Sequence, residues 1–206
     1  MGIAVPSGHS TTGAHAPDIA HQLGFPVVLK MMGPKLAHKT DAGAVILGLK
    51  SKVEVKKAVT KMRATVARFD SFAVTDSFLV ETQAPIPLAE MVIGIRQDPQ
   101  FGWILTLGSG GILIELLEDT KSLLLPVNKD RIEEALRHLK LIKLLSGFRG
   151  GPSANVKDLA HQIAKVCDFI QTDDTGLQEL EINPVFVYKN DILAVDVLVH
   201  RDRELN

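Results

Sequence analysis

Apolar residues change period along this chain, and each change marks an element. Residues 26–32 (PVVLKMM) are a short apolar run broken by Lys30, which reads as a buried strand delivering that lysine to an edge or cleft. Residues 33–43 carry turn formers at both ends and polar residues between, so a loop is predicted, and 44–49 (AVILGL) give a second strand. Ser51 with Glu54 three positions on is a capping pattern. Beyond it Val55, Ala58, Val59, Met62 and Val66 recur at helical spacing. Strands are predicted at 78–80 and 91–95, then at 103–107 and 112–116 on either side of Gly108-Ser109-Gly110-Gly111. Helices are predicted over 130–141, with Arg131, Glu134, Arg137 and His138 on the wet side, and over 156–170. Three strands close the chain at 177–182, 184–187 and 192–198, the last two joined by a turn at 188–191. Residues 2–17, rich in Gly, Ser, Thr, Pro and His, read as an extended lead-in.

The order runs strand–helix–strand, then strands, then helices, then a hairpin. Strict β–α alternation is missing, which argues against a Rossmann sheet and for an α+β (α/β) arrangement. No linker-like stretch divides the chain, so a second lobe must be interleaved with the first.

Composition narrows the function classes. The 206 residues suffice for one domain or two closely joined lobes. The net charge of −1 and the lack of any basic stripe argue against nucleic acid or an anionic membrane as partner. Cys167 is the one cysteine, so no internal disulfide can form; a reducing compartment is expected, with Cys167 as a small buried residue. The N-terminus lacks the features of a signal peptide, and no apolar run approaches the roughly 20 residues that span a bilayer. A cytoplasmic location is the expectation.

Five groups could carry chemistry. Glu179 and Glu181 share a strand face by period-two alternation, Asn183 continues it, and Asp196 lies on the strand turned back alongside. Hard oxygen ligands of this kind suit Mg²⁺, which takes one or two carboxylates plus water and phosphate oxygens; a solvent-facing polar strand face is the plainer alternative. Lys30 could hold a phosphate, or could reach out to water along its stem. His38, beside Lys39 and Thr40, could accept a phosphoryl group, or be a loop histidine without a role. The glycines at 108, 110 and 111 could bring backbone N–H groups to an anion, although no Walker A sequence is present, and a tight turn explains them equally well. Glu81, leading into a bend with Pro85 and Pro87, could mark a hinge that offers backbone groups to an adenine, with Glu90 reaching ribose hydroxyls.

Taken in order, GFPVVLK (24–30), HKTDAGAV (38–45), VETQAPIPLAEMVIG (80–94), DPQFG (98–102), LGSGGILIELLEDT (107–120), LLLPV (123–127), LLSGFRGGP (144–152), LEINPVFV (180–187) and AVD (194–196) resemble the ATP-grasp domain of ADP-forming acyl-CoA synthetases, relatives of the succinyl-CoA synthetase β-subunit. The resemblance implies an ATP-grasp fold of two interleaved lobes with mixed or antiparallel sheets and flanking helices. A smaller lobe, about 24–80, would be inserted into a larger one formed by 1–23 and 81–206. It implies ATP or ADP and Mg²⁺ as cofactors. Lys30 matches the lysine on the ATP phosphates, Glu81 the position beside adenine, Glu90 the acid near ribose, and Glu181, Asn183 and Asp196 the Mg²⁺ set. His38 matches a histidine that relays phosphate in β-type domains, and Arg149 an arginine facing the phosphate or a partner domain.

The implied partners are CoA-binding and ligase-like domains or a subunit of the same synthetase, and neither is in this sequence. The implied reaction exchanges acyl-CoA, ADP and phosphate with acid, CoA and ATP by way of a phosphohistidine. The chain departs from the family pattern by beginning with Met-Gly at the IAVP-like segment (3–6), which the family usually precedes with a helix, so a fragment, a separate subunit or a truncated product is expected. The competing readings are a nucleotide-binding regulatory module without turnover, such as part of an acetyltransferase fusion, and a remnant with no ligand.

Overall fold

The computed structural model describes residues 2–111, 119–173 and 175–202. The chain forms two compact units, Pro6–Pro85 and, with Met1–Val5, Ile86–Asn206.

The smaller unit is an antiparallel sheet of β1 (Gly8–Thr12), β2 (Val27–Met31), β3 (Val45–Leu49) and β4 (Ser77–Thr82) in the order β1-β4-β2-β3. Two helices, α1 (Ala16–Leu23) and α2 (Lys52–Phe69), pack with it. The α2 start follows its sequence signal. The Ser51 hydroxyl accepts the Glu54 N–H at 3.2 Å and the Glu54 carboxylate accepts the Lys50 N–H at 2.8 Å, which occupies amide groups the helix itself cannot satisfy. Val55, Val59, Met62 and Val66 then share one core with Leu29, Met31, Phe78 and Val80. Every residue of β2 is buried, Lys30 included, which is why the residues around that lysine form an apolar run.

The lead-in is more ordered than its composition indicates. Gly8–Thr12 forms the sheet edge against β4, and Pro17 sits in the first turn of α1, where its missing N–H costs no hydrogen bond. Residues 6–23 therefore belong to the smaller unit.

The larger unit is a six-stranded antiparallel sheet of β5 (Ala89–Asp98), β6 (Gly102–Ser109), β7 (Thr120–Leu124), β8 (Leu177–Val187), β9 (Ile192–Ala194) and β10 (Val197–Arg201). The order is β10-β8-β5-β6-β7, with β9 also on β8. The helices α3 (Lys129–Arg137), α4 (Ile142–Leu145) and α5 (Val156–Gln171) accompany it. Met91, Ile93 and Ile95 of β5 join Leu105, Leu107, Ile132, Leu136, Leu159, Ile163 and Val166 in its core. Burying such a side chain contributes about 1.5–3 kcal/mol. Cys167 is buried in that core, and burial, followed by the charge of Asp168, pushes its thiol up to about 12, so it stays a neutral packing group.

Three expectations change in detail. The helix forecast over 130–141 ends at Arg137 and is succeeded by the separate α4. The strand β7 runs against its local pattern, since Thr120, Lys121 and Ser122 interrupt the apolar residues, while the strand expected at 112–116 lies outside the described residues. The closing segments are redistributed: 177–182 and 184–187 form the single strand β8, and 192–198 divides at Val195 and Asp196. The β5–β8 register shifts where Met91 faces Val185 and Ile93 faces Ile182, a bulge that falls on Asn183 and Pro184. Among the described residues no helix is long and apolar enough to cross a membrane.

Candidate functional site

The bulge in β8 gathers the proposed metal set. Leu180 and Ile182 face the core, so Glu181 and Asn183 take the opposite, half-buried face. The Asn183 N–H donates to the Asp196 carbonyl at 3.0 Å, and the Val195 N–H to the Pro184 carbonyl at 3.1 Å. This pairing fixes Asp196, at the break between β9 and β10, beside Asn183. The Asn183 Nδ2 donates to Glu181 Oε1 at 3.1 Å, and Asp196 Oδ1 accepts the Val197 N–H at 3.1 Å. Asn183 thus adjoins Asp196 through the backbone and Glu181 through its side chain. Among the described residues no group of three or more His, Cys, Asp or Glu is placed to hold a metal. The set fits an ion that completes its shell with water and phosphate, which is the habit of Mg²⁺.

Glu90, on β5, adjoins this set through the glycine turn. The Gly110 N–H donates to the Glu90 carbonyl at 2.7 Å, and the Gly111 N–H lies 3.5 Å from Asn183 Oδ1, a long contact. Gly111 has φ +64°, and a Cβ there would meet Glu90 Oε2 at 2.1 Å; a Cβ on Gly110 would meet the Met91 backbone at 2.5 Å. Gly108 leaves the same kind of room for the Asp119 carbonyl, 2.7 Å from where its Cβ would stand. The amides of Ser109 and Gly110 are therefore engaged inside the protein, and the three glycines serve close approach.

Arg149 is exposed on the turn after α4, in left-handed backbone (φ 54°, ψ 35°), with its guanidinium 5.2 Å from the Phe148 ring centre. The structure does not bring it into contact with Glu181, Asn183 or Asp196 through any described hydrogen bond or ion pair.

In the smaller unit Lys30 and Glu81 form an ion pair, Nζ to Oε2 2.7 Å, between neighbouring strands β2 and β4. Lys30 is 4% and Glu81 7% exposed, so the lysine does not extend to water as a surface residue would. Gly8 of β1 faces Glu81, and a Cβ there would meet Glu81 Cγ at 2.7 Å and the Val80 carbonyl at 2.8 Å. His38 is exposed on the loop between β2 and β3. That loop is pinned by buried Leu36, Ala42 and Ala44 and by the bonds Ala42 N–H to His38 O (3.3 Å) and Ala44 N–H to Lys39 O (2.7 Å). Its neighbour Lys39 is buried.

Sequence reasoning passed over Gly8 and Asp119. A glycine inside a strand is a signal of close approach, and Gly8 carries it. Asp119 is a buried carboxylate whose only sequence mark is an acid ending an apolar run. Burial pushes its pKa up, but the N–H groups of Lys140 and Leu141, the Ser109 hydroxyl and the Lys140 charge outweigh that and hold it below the usual carboxylate value.

The family model described as ATP-grasp domain matches residues 1–200. The chain is 33% identical over 176 residues to the beta subunit of acetate–CoA ligase [ADP-forming] I of Pyrococcus furiosus, covering 85% of this chain and 75% of that subunit. It is 32% identical over 206 residues to a trans-feruloyl-CoA synthase from an unidentified prokaryote, covering 98% of this chain but 29% of the relative's length. An acetyl-coenzyme A synthetase 1 from Ca. Korarchaeum cryptofilum, solved with coenzyme A and Ca-AMPCP, aligns with TM-score 0.89 and 31% identity over 98% of this chain and 87% of that one. A second structure of that synthetase, with Mg-AMPPCP and its phosphohistidine segment pointing towards the nucleotide binding site, aligns with TM-score 0.79 and 29% identity over 98% and 86%. The chain belongs to the ATP-grasp domain family, in the group found in ADP-forming acyl-CoA synthetases.

Proposed function

We propose that this chain is the ATP/ADP- and Mg²⁺-binding part of an ADP-forming acyl-CoA synthetase, moving a phosphoryl group between a phosphohistidine and ADP. The observation that carries the reading is the grouping of Glu181, Asn183 and Asp196 at the β8 bulge, in a chain whose relative is solved with Mg-AMPPCP. The two compact units would be the two lobes of the ATP-grasp domain.

Each group has a task that its setting supports. Lys30 would contact phosphate oxygens, with Glu81 orienting its ammonium group from 2.7 Å. Glu181, Asn183 and Asp196 would hold Mg²⁺, which when bound offsets charge developing on the phosphates. Glu90 would accept from ribose hydroxyls. Gly108, Gly110 and Gly111 would shape the turn beside it. Arg149, exposed and carried on a short turn, would meet the phosphate or a partner domain. Catalysis in such a site is mostly positioning and charge neutralisation.

His38 would act as nucleophile through its unprotonated ring nitrogen. An N–P bond forms, the bond from the γ-phosphorus to the bridging oxygen breaks, and ADP leaves; the reverse step returns the phosphoryl group to ADP and frees the imidazole. The CoA-binding and ligase-like parts that would form the acyl phosphate and choose the acyl group lie in other domains or a partner subunit, in a cytoplasmic enzyme. The test is incubation with Mg-[γ-³²P]ATP. Acid-labile label that disappears in His38→Asn supports the transfer reading. No label, or label unchanged in that variant, contradicts the role of His38 and favours nucleotide binding without turnover.

A further inference from the structure

Asp119 is a nearly sealed carboxylate with no task in the nucleotide site, 6% exposed, and it is held by three donors. Lys140 N–H donates to Oδ1 at 2.7 Å; Leu141 N–H and the Ser109 hydroxyl donate to Oδ2 at 3.0 and 2.9 Å. The Ser109 N–H also donates to the Asp119 carbonyl at 3.1 Å. Ser109, 2% exposed, is thereby fixed by both its backbone and its side chain.

The turn beyond Ser109 has no slack. Gly110 is seated so close to Met91 that no side chain fits, and its N–H is bonded to Glu90. Gly111 stands against the Glu90 carboxylate with its N–H towards Asn183, whose Nδ2 is bonded to Glu181. A continuous series of contacts therefore runs from Asp119 through Ser109 and the glycine turn to two members of the metal set. On its other side Asp119 grips the backbone between α3 and α4, so the turn is tied to the helical layer as well as to its own strand.

We propose that Asp119 is a positioning residue of the magnesium–nucleotide site: through the Ser109 hydroxyl it sets the glycine turn that holds Asn183 and, through Asn183, Glu181. The proposal rests on the nucleotide-binding reading and adds to it a residue that touches neither nucleotide nor metal. Its strength lies in the contrast with a plain structural staple. A staple stabilises the fold and leaves the metal dependence of binding alone. A positioning residue changes the metal-dependent part of binding selectively, because the groups it sets are the metal ligands.

The experiment is calorimetric titration of the chain with AMPPCP, with and without Mg²⁺, well below the unfolding temperature. Ser109→Ala removes the hydroxyl link alone and leaves Asp119 its two backbone donors. It is expected to weaken Mg-AMPPCP binding about 10-fold, the scale on which outer partners of metal ligands act, and to change metal-free AMPPCP binding by less than about twofold. Asp119→Asn, which also weakens the grip on Lys140 and Leu141, is expected to act in the same direction and more strongly; should it not fold, Ser109→Ala decides. A Ser109→Ala, Asn183→Ala double-mutant cycle supplies the second readout, with non-additive losses expected for residues acting through one another. Equal loss with and without Mg²⁺, no loss in Ser109→Ala, or additive effects in the cycle overturns the inference. A wild-type chain that binds no Mg-AMPPCP sinks the nucleotide reading itself, an outcome distinct from wild-type binding with an indifferent Ser109→Ala.

Discussion

Lys30 with Glu81, and Glu181 with Asn183 and Asp196, are charge clusters built under opposite conditions. The first is an ion pair nearly sealed from water inside the smaller unit, each charge matched by the other at 2.7 Å. The second is a half-exposed group in the larger unit, where Glu181 is bonded to the Asn183 amide and Asp196 adjoins Asn183 through the backbone. A buried pair is self-sufficient once formed, and breaking it strands a charge away from water. Half-exposed carboxylates gain from a cation and depend little on the fold's interior. The two clusters, assigned to the same nucleotide, should therefore fail in different ways.

The largest effect should come from breaking the buried pair singly. Glu81→Ala is expected to destabilise the chain by roughly 3–5 kcal/mol in urea unfolding, because the buried ammonium of Lys30 loses the carboxylate 2.7 Å away. The double variant Lys30→Met, Glu81→Leu should recover most of that stability and still fail to bind nucleotide, which would separate the pair's chemical role from its structural one. Equal destabilisation by the double variant would mean the pair serves the fold alone.

Asp196→Asn should do the reverse. Its amide oxygen can still accept the Val197 N–H, so unfolding should move by less than about 1 kcal/mol, whereas affinity for Mg-AMPPCP should fall at least about 10-fold in calorimetry. A smaller contrast comes from two glycines of similar backbone. Gly102 (φ +72°) has open space around its Cα, and Gly111 (φ +64°) has the Glu90 carboxylate. Alanine at either position adds left-handed strain of about 1 kcal/mol, and Gly111→Ala alone should also displace Glu90. Thermal unfolding should therefore fall further for Gly111→Ala, and equal shifts would show that the turn tolerates a side chain.

Asp119 adds a pH signature. Its pKa is lower folded than unfolded, so its contribution is fully present above the unfolded value of about 4 and is lost as pH falls through the folded value. Asp119→Asn should lower stability at neutral pH and flatten the fall in stability below about pH 4 in acid denaturation. The smallest effect belongs to the i,i+4 pair of exposed Arg137 with half-buried Glu133 on α3, where Arg137→Ala should cost only about 0.3–0.5 kcal/mol in urea unfolding, diminishing with salt.

Much of this was legible in the residues themselves. The strand β2, the cap of α2, and the alternation that sets Glu181 and Asn183 on one face all follow from period and local chemistry. The grouping of Asp196 with Asn183 was legible because one short turn, 188–191, brings the strands together. What was hidden depended on partners far along the chain. Lys30 reads equally as a lysine for phosphate or one reaching to water, and its ion pair is hidden until Glu81, on a strand distant in sequence, is placed beside it. The strand β1 reads only as part of an extended lead-in because its order comes from pairing with β4 and not from its own propensity. Asp119 gives no local sign that Lys140 and Leu141 will supply its donors. The glycines at 110 and 111 suggested an anion cradle by composition, whereas their spacing to Met91 and Glu90 exists only in three dimensions.

The central proposal is that this chain binds a magnesium nucleotide, with Lys30 on its phosphates and Glu181, Asn183 and Asp196 on its metal. Calorimetric titration of the 206-residue chain with Mg-AMPPCP tests it most directly. One binding event per chain is predicted, lost in Lys30→Met, Glu81→Leu and weakened in Asp196→Asn while both variants remain folded. A titration without heat for the wild-type chain, or binding that both folded variants retain unchanged, would contradict it.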